Sequence, residues 1–186
     1  MIQPCLPMII MVSCLPQLFF FCSLFPHAIL SHIRYAVHNA GVSFTLKKFG
    51  EPGNDVHTNS SASQSDAIRL LYGAAVATEL LEVKCEDETL KFSMAGLTTN
   101  ANFNTKRANL LLFINNRLVH CSSLKRALDS LYAAHLPKHT FYFAYMSLTL
   151  APENVDVNVH PTKSEVHVNI CIYYYVCIYV LYICVC

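Results

Sequence analysis

Lys163 stands at the end of a run whose residue types and spacing suit phosphate chemistry. Val155, Val157 and Val159 alternate strictly with Asp156, Asn158 and His160. In an extended strand the valines share one face and the polar side chains the other. Pro161 ends ladder pairing and stiffens the turn. Lys163 then occupies a short loop before Val166-His167-Val168 resumes a strand pattern. A lysine there is a mobile point charge on a long stem, suited to touching a terminal phosphate without the planar match that arginine requires. Spacing alone favours the plainer reading, because a lysine at a strand end is ordinarily a solvated surface residue.

Five other cations are candidates for a DNA-facing groove: Lys106, Arg107, Arg117, Lys125 and Arg126. Phosphate contacts of this kind position a protein on a duplex without reading its sequence. The formal net charge is only +1, which favours ordinary solvated charges over a basic binding face. His135 and His139 are spaced for one helical face but straddle Pro137, so no metal site is expected there. No cysteine pair has C-x-x-C spacing, and no Ser-His-Asp or paired-carboxylate arrangement stands out.

The elements that must hold these residues follow from periodicity. Val42, Phe44 and Leu46 fall on one face of a strand within Val-Ser-Phe-Thr-Leu-Lys-Lys. Residues 49–64, rich in Gly, Pro, Asn and Ser, read as a loop or linker. Ser65 is a plausible N-cap, with Asp66 in the first turn of a helix whose stripe is Ile68, Leu71, Tyr72, Ala75 and Val76. Gly73 is expected inside that helix. From Leu80 the period changes to a hairpin turning at Asp87-Glu88. A buried strand through Leu110–Ile114 runs into a turn at Asn115-Asn116, residues that tolerate positive φ. Ser122 or Ser123 can cap a second helix with Leu124, Leu128, Leu131 and Tyr132 on one side, stopped near Pro137. Residues 141–150 make a strand dense in aromatics. The order predicts an α+β fold, a mixed sheet with helices packed on it.

Both ends differ from this middle. Hydrophobic residues make up 54% of the 186-residue chain and charged residues 13%, with a mean hydropathy of +0.37. Every Lys, Arg, Asp and Glu lies between Arg34 and Glu165, and only Cys85 and Cys121 of the nine cysteines lie in that span. Two cysteines in the charged middle suit a reducing compartment. The first tail lacks the basic start of a signal peptide. Prolines 4, 7, 16 and 26 leave it no apolar run of the roughly 20 residues a spanning helix needs. A membrane-anchored or secreted protein defined by its tails is therefore the alternative reading, not the leading one. After Asn169 the second tail uses only Ile, Cys, Tyr, Val and Leu, whose codons suit translated TA/TG repeats. Both tails are expected to be irregular, with a β-prone, aggregation-liable run as the rival reading of the second.

The run Val155–Val166 closely resembles the signature of the transducer domain in MutL-family DNA mismatch-repair proteins. Phe113–Val119 resembles that family's preceding strand and turn. Arg34–Lys48 and Cys85–Gly96 look specifically like the eukaryotic MutL homologue shared by the mismatch-repair heterodimers. The likeness covers Arg34 to Val168. It implies a GHKL-type ATPase domain followed by a transducer of ribosomal-protein-like fold with a left-handed βαβ crossover. On that resemblance residues 1–33 are a non-homologous tail, 34–64 the end of the ATPase domain with its linker, 65–168 the transducer and 169–186 a low-complexity tail. Lys163, supported by Asn158, His160 and Pro161, is the implied contact to the ATP γ-phosphate. ATP with Mg2+ is the implied cofactor of the whole family protein. The catalytic glutamate and glycine-rich loops of that ATPase have no counterpart in residues 1–33, so this chain alone is expected neither to hold ATP tightly nor to hydrolyse it. The family's closing helix after Val168 is likewise expected to be missing, leaving the sheet partly uncovered. Implied partners are a second MutL-homologue subunit, DNA without sequence preference and MutS-type mismatch-recognition proteins. The implied location is the nucleus, with a membrane or secretory address only if the first tail is a targeting segment.

Overall fold

The computed structural model describes residues 8–13, 19–21, 26–48, 56–100, 103, 105, 108–138, 140–156, 166–168 and 170–185. The chain divides into two compact units, Met1–Ala77 and Thr78–Cys186.

In the first unit, β1 (Met8–Ser13), β2 (Phe19–Phe21), β3 (Ser43–Lys48) and β4 (Val56–His57) form one sheet in the order β2-β1-β3-β4. Every pairing in it is antiparallel. The first tail, expected to be irregular, thus supplies two strands, because β1 pairs with β3 from Met8↔Lys48 to Ser13↔Ser43. Residues 49–64, read as a loop, include β4, tied to β3 at Thr45↔His57. Helix α1 spans Pro26–His38 and leads into β3 through Gly41, whose φ of 95° no side chain readily adopts.

Helix α2 (Gln64–Tyr72) starts two residues earlier than the sequence suggested. Its N-cap is Ser63, not Ser65, and Asp66 completes a reciprocal capping box. The Ser63 Oγ accepts from the Asp66 N–H at 3.1 Å, and the Ser63 N–H donates to Asp66 Oδ2 at 3.1 Å. The S-x-x-D spacing decides this, since it satisfies two orphan amides at once. The Ser63 hydrogen bonds hold the Asp66 carboxyl below its ordinary pKa. Gly73 does not lie inside the helix. Its φ of 103° ends α2, and α3 (Ala74–Thr78) begins anew. The buried positions are consequently Ala67, Ile68, Val76 and Ala77, while Ala75 is exposed.

The second unit is a five-stranded mixed sheet in the order β5-β6-β9-β7-β8. β5 (Leu80–Asp87) and β6 (Phe92–Thr99) form the expected hairpin. Its turn is held by Asp87 Oδ1, which accepts from the Thr89 and Leu90 amides at 2.9 and 3.0 Å. β7 (Asn109–Ile114) and β8 (Arg117–Leu118) form a second hairpin around Asn115 and Asn116, at φ 48° and 64°. Helix α4 (Ser122–Ala133) then crosses to β9 (Phe143–Leu150), which lies parallel to β7 and antiparallel to β6. The N-cap of α4 is Cys121, with no side-chain cap bond, so Ser122 and Ser123 both fall inside the first turn. Cys121 is 2% exposed, so burial sets this start and not hydroxyl capping.

Leu124, Leu128 and Tyr132 of α4 pack on Ala144, Met146 and Leu148 of β9 in the main core. β7 and β9 are buried on both faces, since Leu111, Phe113, Phe143 and Tyr145 on the opposite parity are also 2% exposed or less. That explains their near-continuous apolar runs. The 3-10 turn Pro152–Asn154 leads to β10 (Val155–Asp156), which pairs antiparallel with β11 (His167–Val168).

The second tail is not irregular. Ile170–Val185 forms helix α5, which packs on β5, β6 and α4. Ile172, Val176 and Val180 are each fully buried, at the four-residue spacing of one helical face. The Tyr175 ring meets Phe92 edge-on at 6.4 Å, and Tyr179 hydrogen-bonds Cys85. The sheet that was expected to lack a covering helix therefore has one over β5 and β6. An almost wholly apolar run hides this, because periodicity is invisible when both faces are hydrophobic. Among the described residues no helix is long and apolar enough to cross a membrane.

Candidate functional site

Lys163, together with Asn158, His160 and Pro161, lies outside the described residues. The described residues do define the paired stem on either side of residues 157–165. Pairing of Val155 with Val168 and of Asp156 with His167 closes residues 157–165 at their base. The alternation read from Val155 onward is thus paired as a strand where it is described.

Both feet of the stem are tied to the sheet. On the outgoing side the Ala151 N–H donates to the Lys91 carbonyl at 3.3 Å, and Asn154 Nδ2 donates to the Leu90 carbonyl at 2.8 Å. Lys91 also pairs with Glu153 at 2.9 Å, an exposed ion pair of little energetic weight. On the incoming side the Val166 N–H donates to the His120 carbonyl at 3.0 Å, and Val166 is 2% exposed. A third tie comes from Asn115. Its Nδ2 donates to the Leu150 carbonyl at 3.0 Å, and its Oδ1 accepts from the Leu150 N–H at 2.9 Å. The sequence marks Asn115 only as a turn residue. Its carboxamide role, like that of the His120 carbonyl, carries no compositional signal.

The DNA-facing candidates are distributed over different elements. Arg117 is exposed on β8, opposite Ile114. Lys125 and Arg126 lie on α4. The Lys125 ammonium is engaged by Asp129 Oδ2 at 2.6 Å, and Arg126 Nε donates to the Ser122 carbonyl of its own helix at 3.2 Å. Asp129 also accepts from the Tyr142 hydroxyl at 2.9 Å, so it bridges α4 to the start of β9. Burial, and then the neighbouring Asp129 charge, push the Tyr142 phenol well above its ordinary pKa. Lys106 and Arg107 lie outside the described residues, and so does His139. Among the described residues no cluster of metal-ligating side chains is present.

The profile of the family described as "DNA mismatch repair protein, C-terminal domain" matches residues 68–172, more than half of the chain and all of this stem. The chain belongs to the MutL family of DNA mismatch-repair proteins. Over 137 residues it is 44% identical to the MutL protein homolog 1 of Schizosaccharomyces pombe, an alignment covering 72% of this chain and 20% of that protein. Against the DNA mismatch repair protein MLH1 of Saccharomyces cerevisiae the identity is 42% over 137 residues, covering 72% and 18%. The bacterial MutL of Halothermothrix orenii is 34% identical over 133 residues. The higher identities to the two yeasts agree with the eukaryotic likeness of the sequence. This MutL-family chain spans about a fifth of the length of these relatives.

Solved structures bear out the α+β fold. The N-terminal domain of a DNA repair protein superposes with a TM-score of 0.67 at 19% identity, covering 83% of this chain and 51% of that one. The ATPase domain of the mismatch repair endonuclease MutL from Aquifex aeolicus gives 0.53 at 17% identity, covering 86% and 51%.

Proposed function

We propose that this MutL-family segment serves DNA mismatch repair as the transducer of an ATP-dependent clamp, with Lys163 as its phosphate-sensing group. The observation that carries the reading is the closed stem. The β10–β11 pairing, anchored at Leu90, Lys91 and His120, ties down the chain on both sides of the segment that carries Lys163. The residue types there suit a phosphate, since the hydroxyl-bearing Thr162 and Ser164 flank Lys163 in sequence.

In this reading residues 65–168 form the transducer and 34–64 the end of the ATPase domain. ATP with Mg2+ is the cofactor of the whole family protein and supplies the γ-phosphate. The Lys163 ammonium balances negative charge only while that phosphate is present, so it interacts differently with the two nucleotide states. Such a difference is what a switch between ordered and released forms requires. Partners by this reading are a second MutL-homologue subunit, MutS-type proteins and DNA held without sequence preference, in the nucleus. Arg117, Lys125 and Arg126, with Lys106 and Arg107, remain the cations proposed to face DNA. This chain by itself is proposed to lack ATPase activity.

The test uses a chimera in which residues 78–168 replace the matching segment of the Saccharomyces cerevisiae relative. Lys163→Ala should leave ATP binding near parental and lower ATP turnover on the order of 10-fold or more, the weight of one charge-assisted hydrogen bond. Parental turnover together with parental ATP-driven dimerisation would remove Lys163 from this role.

A further inference from the structure

β9 has a strand on each side for most of its length, but not at its end. On one side β6 still pairs with it at Phe92↔Leu150. On the other, the β7 register stops at Ile114↔Leu148, because the chain turns back at Asn115 and Asn116. Leu150 is 4% exposed, so its peptide groups on that side are cut off from water where the β7 backbone has left. Unpaired, they would be costly.

The Asn115 carboxamide takes the place of the departed peptide. It offers one donor and one acceptor, at 3.0 and 2.9 Å, to the carbonyl and amide of Leu150. Its own N–H donates to the Leu148 carbonyl at 2.9 Å, so backbone and side chain continue the ladder together. No aspartate can supply both bonds, and no glycine can supply either. From a backbone bonded to Leu148 the side chain reaches onward to Leu150, and asparagine tolerates the φ of 48° at this position better than most residues.

Leu150 ends β9, and only Ala151 separates it from the turn Pro152–Asn154 that opens the lysine-loop stem. We infer that Asn115 is a positioning residue for the lysine loop: its carboxamide fixes the point at which the chain leaves the sheet, and so sets where Lys163 is presented. The inference rests on the reading of Lys163 as the phosphate contact.

Two measurements separate the inference from that reading. The first is amide hydrogen exchange on this chain. Asn115→Gly keeps the positive φ and removes the carboxamide, so exchange at Leu150 should rise on the order of 10-fold while Met94 and Met146 stay unchanged. Asn115→Asp retains the acceptor and should keep Leu150 protected. Asn116→Gly, in the same turn at φ 64°, should do the same. Unaltered Leu150 protection in Asn115→Gly would overturn the clamp itself. The second is ATP turnover in the chimera. Asn115→Gly should lower kcat with KM for ATP unchanged, and combining it with Lys163→Ala should cost little more than Lys163→Ala alone. Parental kcat in Asn115→Gly, with Lys163→Ala impaired, would overturn the positioning role. Parental kcat in Lys163→Ala would instead overturn the phosphate-sensing reading, and the positioning role with it.

Discussion

Tyr132 shows how much a single side chain holds in the second unit. It is 1% exposed, and its ring stacks on Tyr142 with centroids 4.3 Å apart and planes 12° from parallel. Its hydroxyl donates to the Thr99 carbonyl at 2.9 Å and lies 2.6 Å from the Thr98 hydroxyl. Both threonines are fully buried, so neither can turn to water when the phenol is removed. Tyr132→Phe keeps the stack and strips the hydroxyl. The expected loss is about 1–3 kcal/mol, the worth of the two buried hydrogen bonds that the hydroxyl makes. Thr98→Val in the same background should cost less than it does alone, because its partner is already gone. Urea unfolding of the four species measures both numbers. Asn115 belongs to the same class of residue, since its turn conformation was legible in the sequence and its carboxamide contacts were not. A local dihedral preference is encoded locally, whereas a side chain bonded to a residue 35 positions away is set by the register of the sheet.

Among elements, α5 is where the sequence is least informative. Residues 170–185 carry no charge and no polar contrast, so neither a helical nor a strand period stands out. The structure resolves the ambiguity through the apolar sheet face of Val83, Cys85, Phe92 and Met94, which needs a cover. If α5 supplies that cover, its two faces must differ in energetic weight. Ile172→Ala, at a fully buried site, should destabilise by about 2–5 kcal/mol. Ile178→Ala, 60% exposed on the same helix, should stay within about 0.5 kcal/mol. Equal effects in thermal or urea unfolding would mean that the helix does not dock through Ile172. The hairpin of β5 and β6 and the crossing helix α4 were legible because polar and apolar residues contrast along them. The N-caps were misplaced by one or two residues because several serines compete there. The capping box at Ser63 and the burial of Cys121 decide between them.

At the scale of the molecule, the two compact units set a window of pH. On the acid side Asp66 in the first unit and Asp87 in the second both sit below the ordinary 3.8, held there by hydrogen bonds from Ser63 and from Thr89 and Leu90 respectively. A carboxyl whose folded pKa is lowered stabilises the fold above its unfolded value, and that stability is lost as pH falls through the folded value. Each unit should therefore weaken only below about pH 4. On the alkaline side the sign reverses. Burial raises the Tyr72 phenol in the first unit, and in the second it raises Tyr142 and pushes the Cys177 thiol up from 9.0 to about 11. These groups are neutral when protonated, so their stabilisation is complete below the unfolded pKa and fades as pH climbs toward the folded one. For Cys177 that interval runs from 9.0 to about 11. Asp87→Asn should flatten the acid limb of the second unit and leave that of the first unchanged. Cys177→Ala should flatten part of the alkaline limb of the second unit and leave its acid limb alone. Urea titrations from pH 2.5 to 11, followed through amide resonances of α2 and β6, read the two units separately. An alkaline limb unchanged by Cys177→Ala would show that the thiol is already ionised, or already wet, in the folded chain.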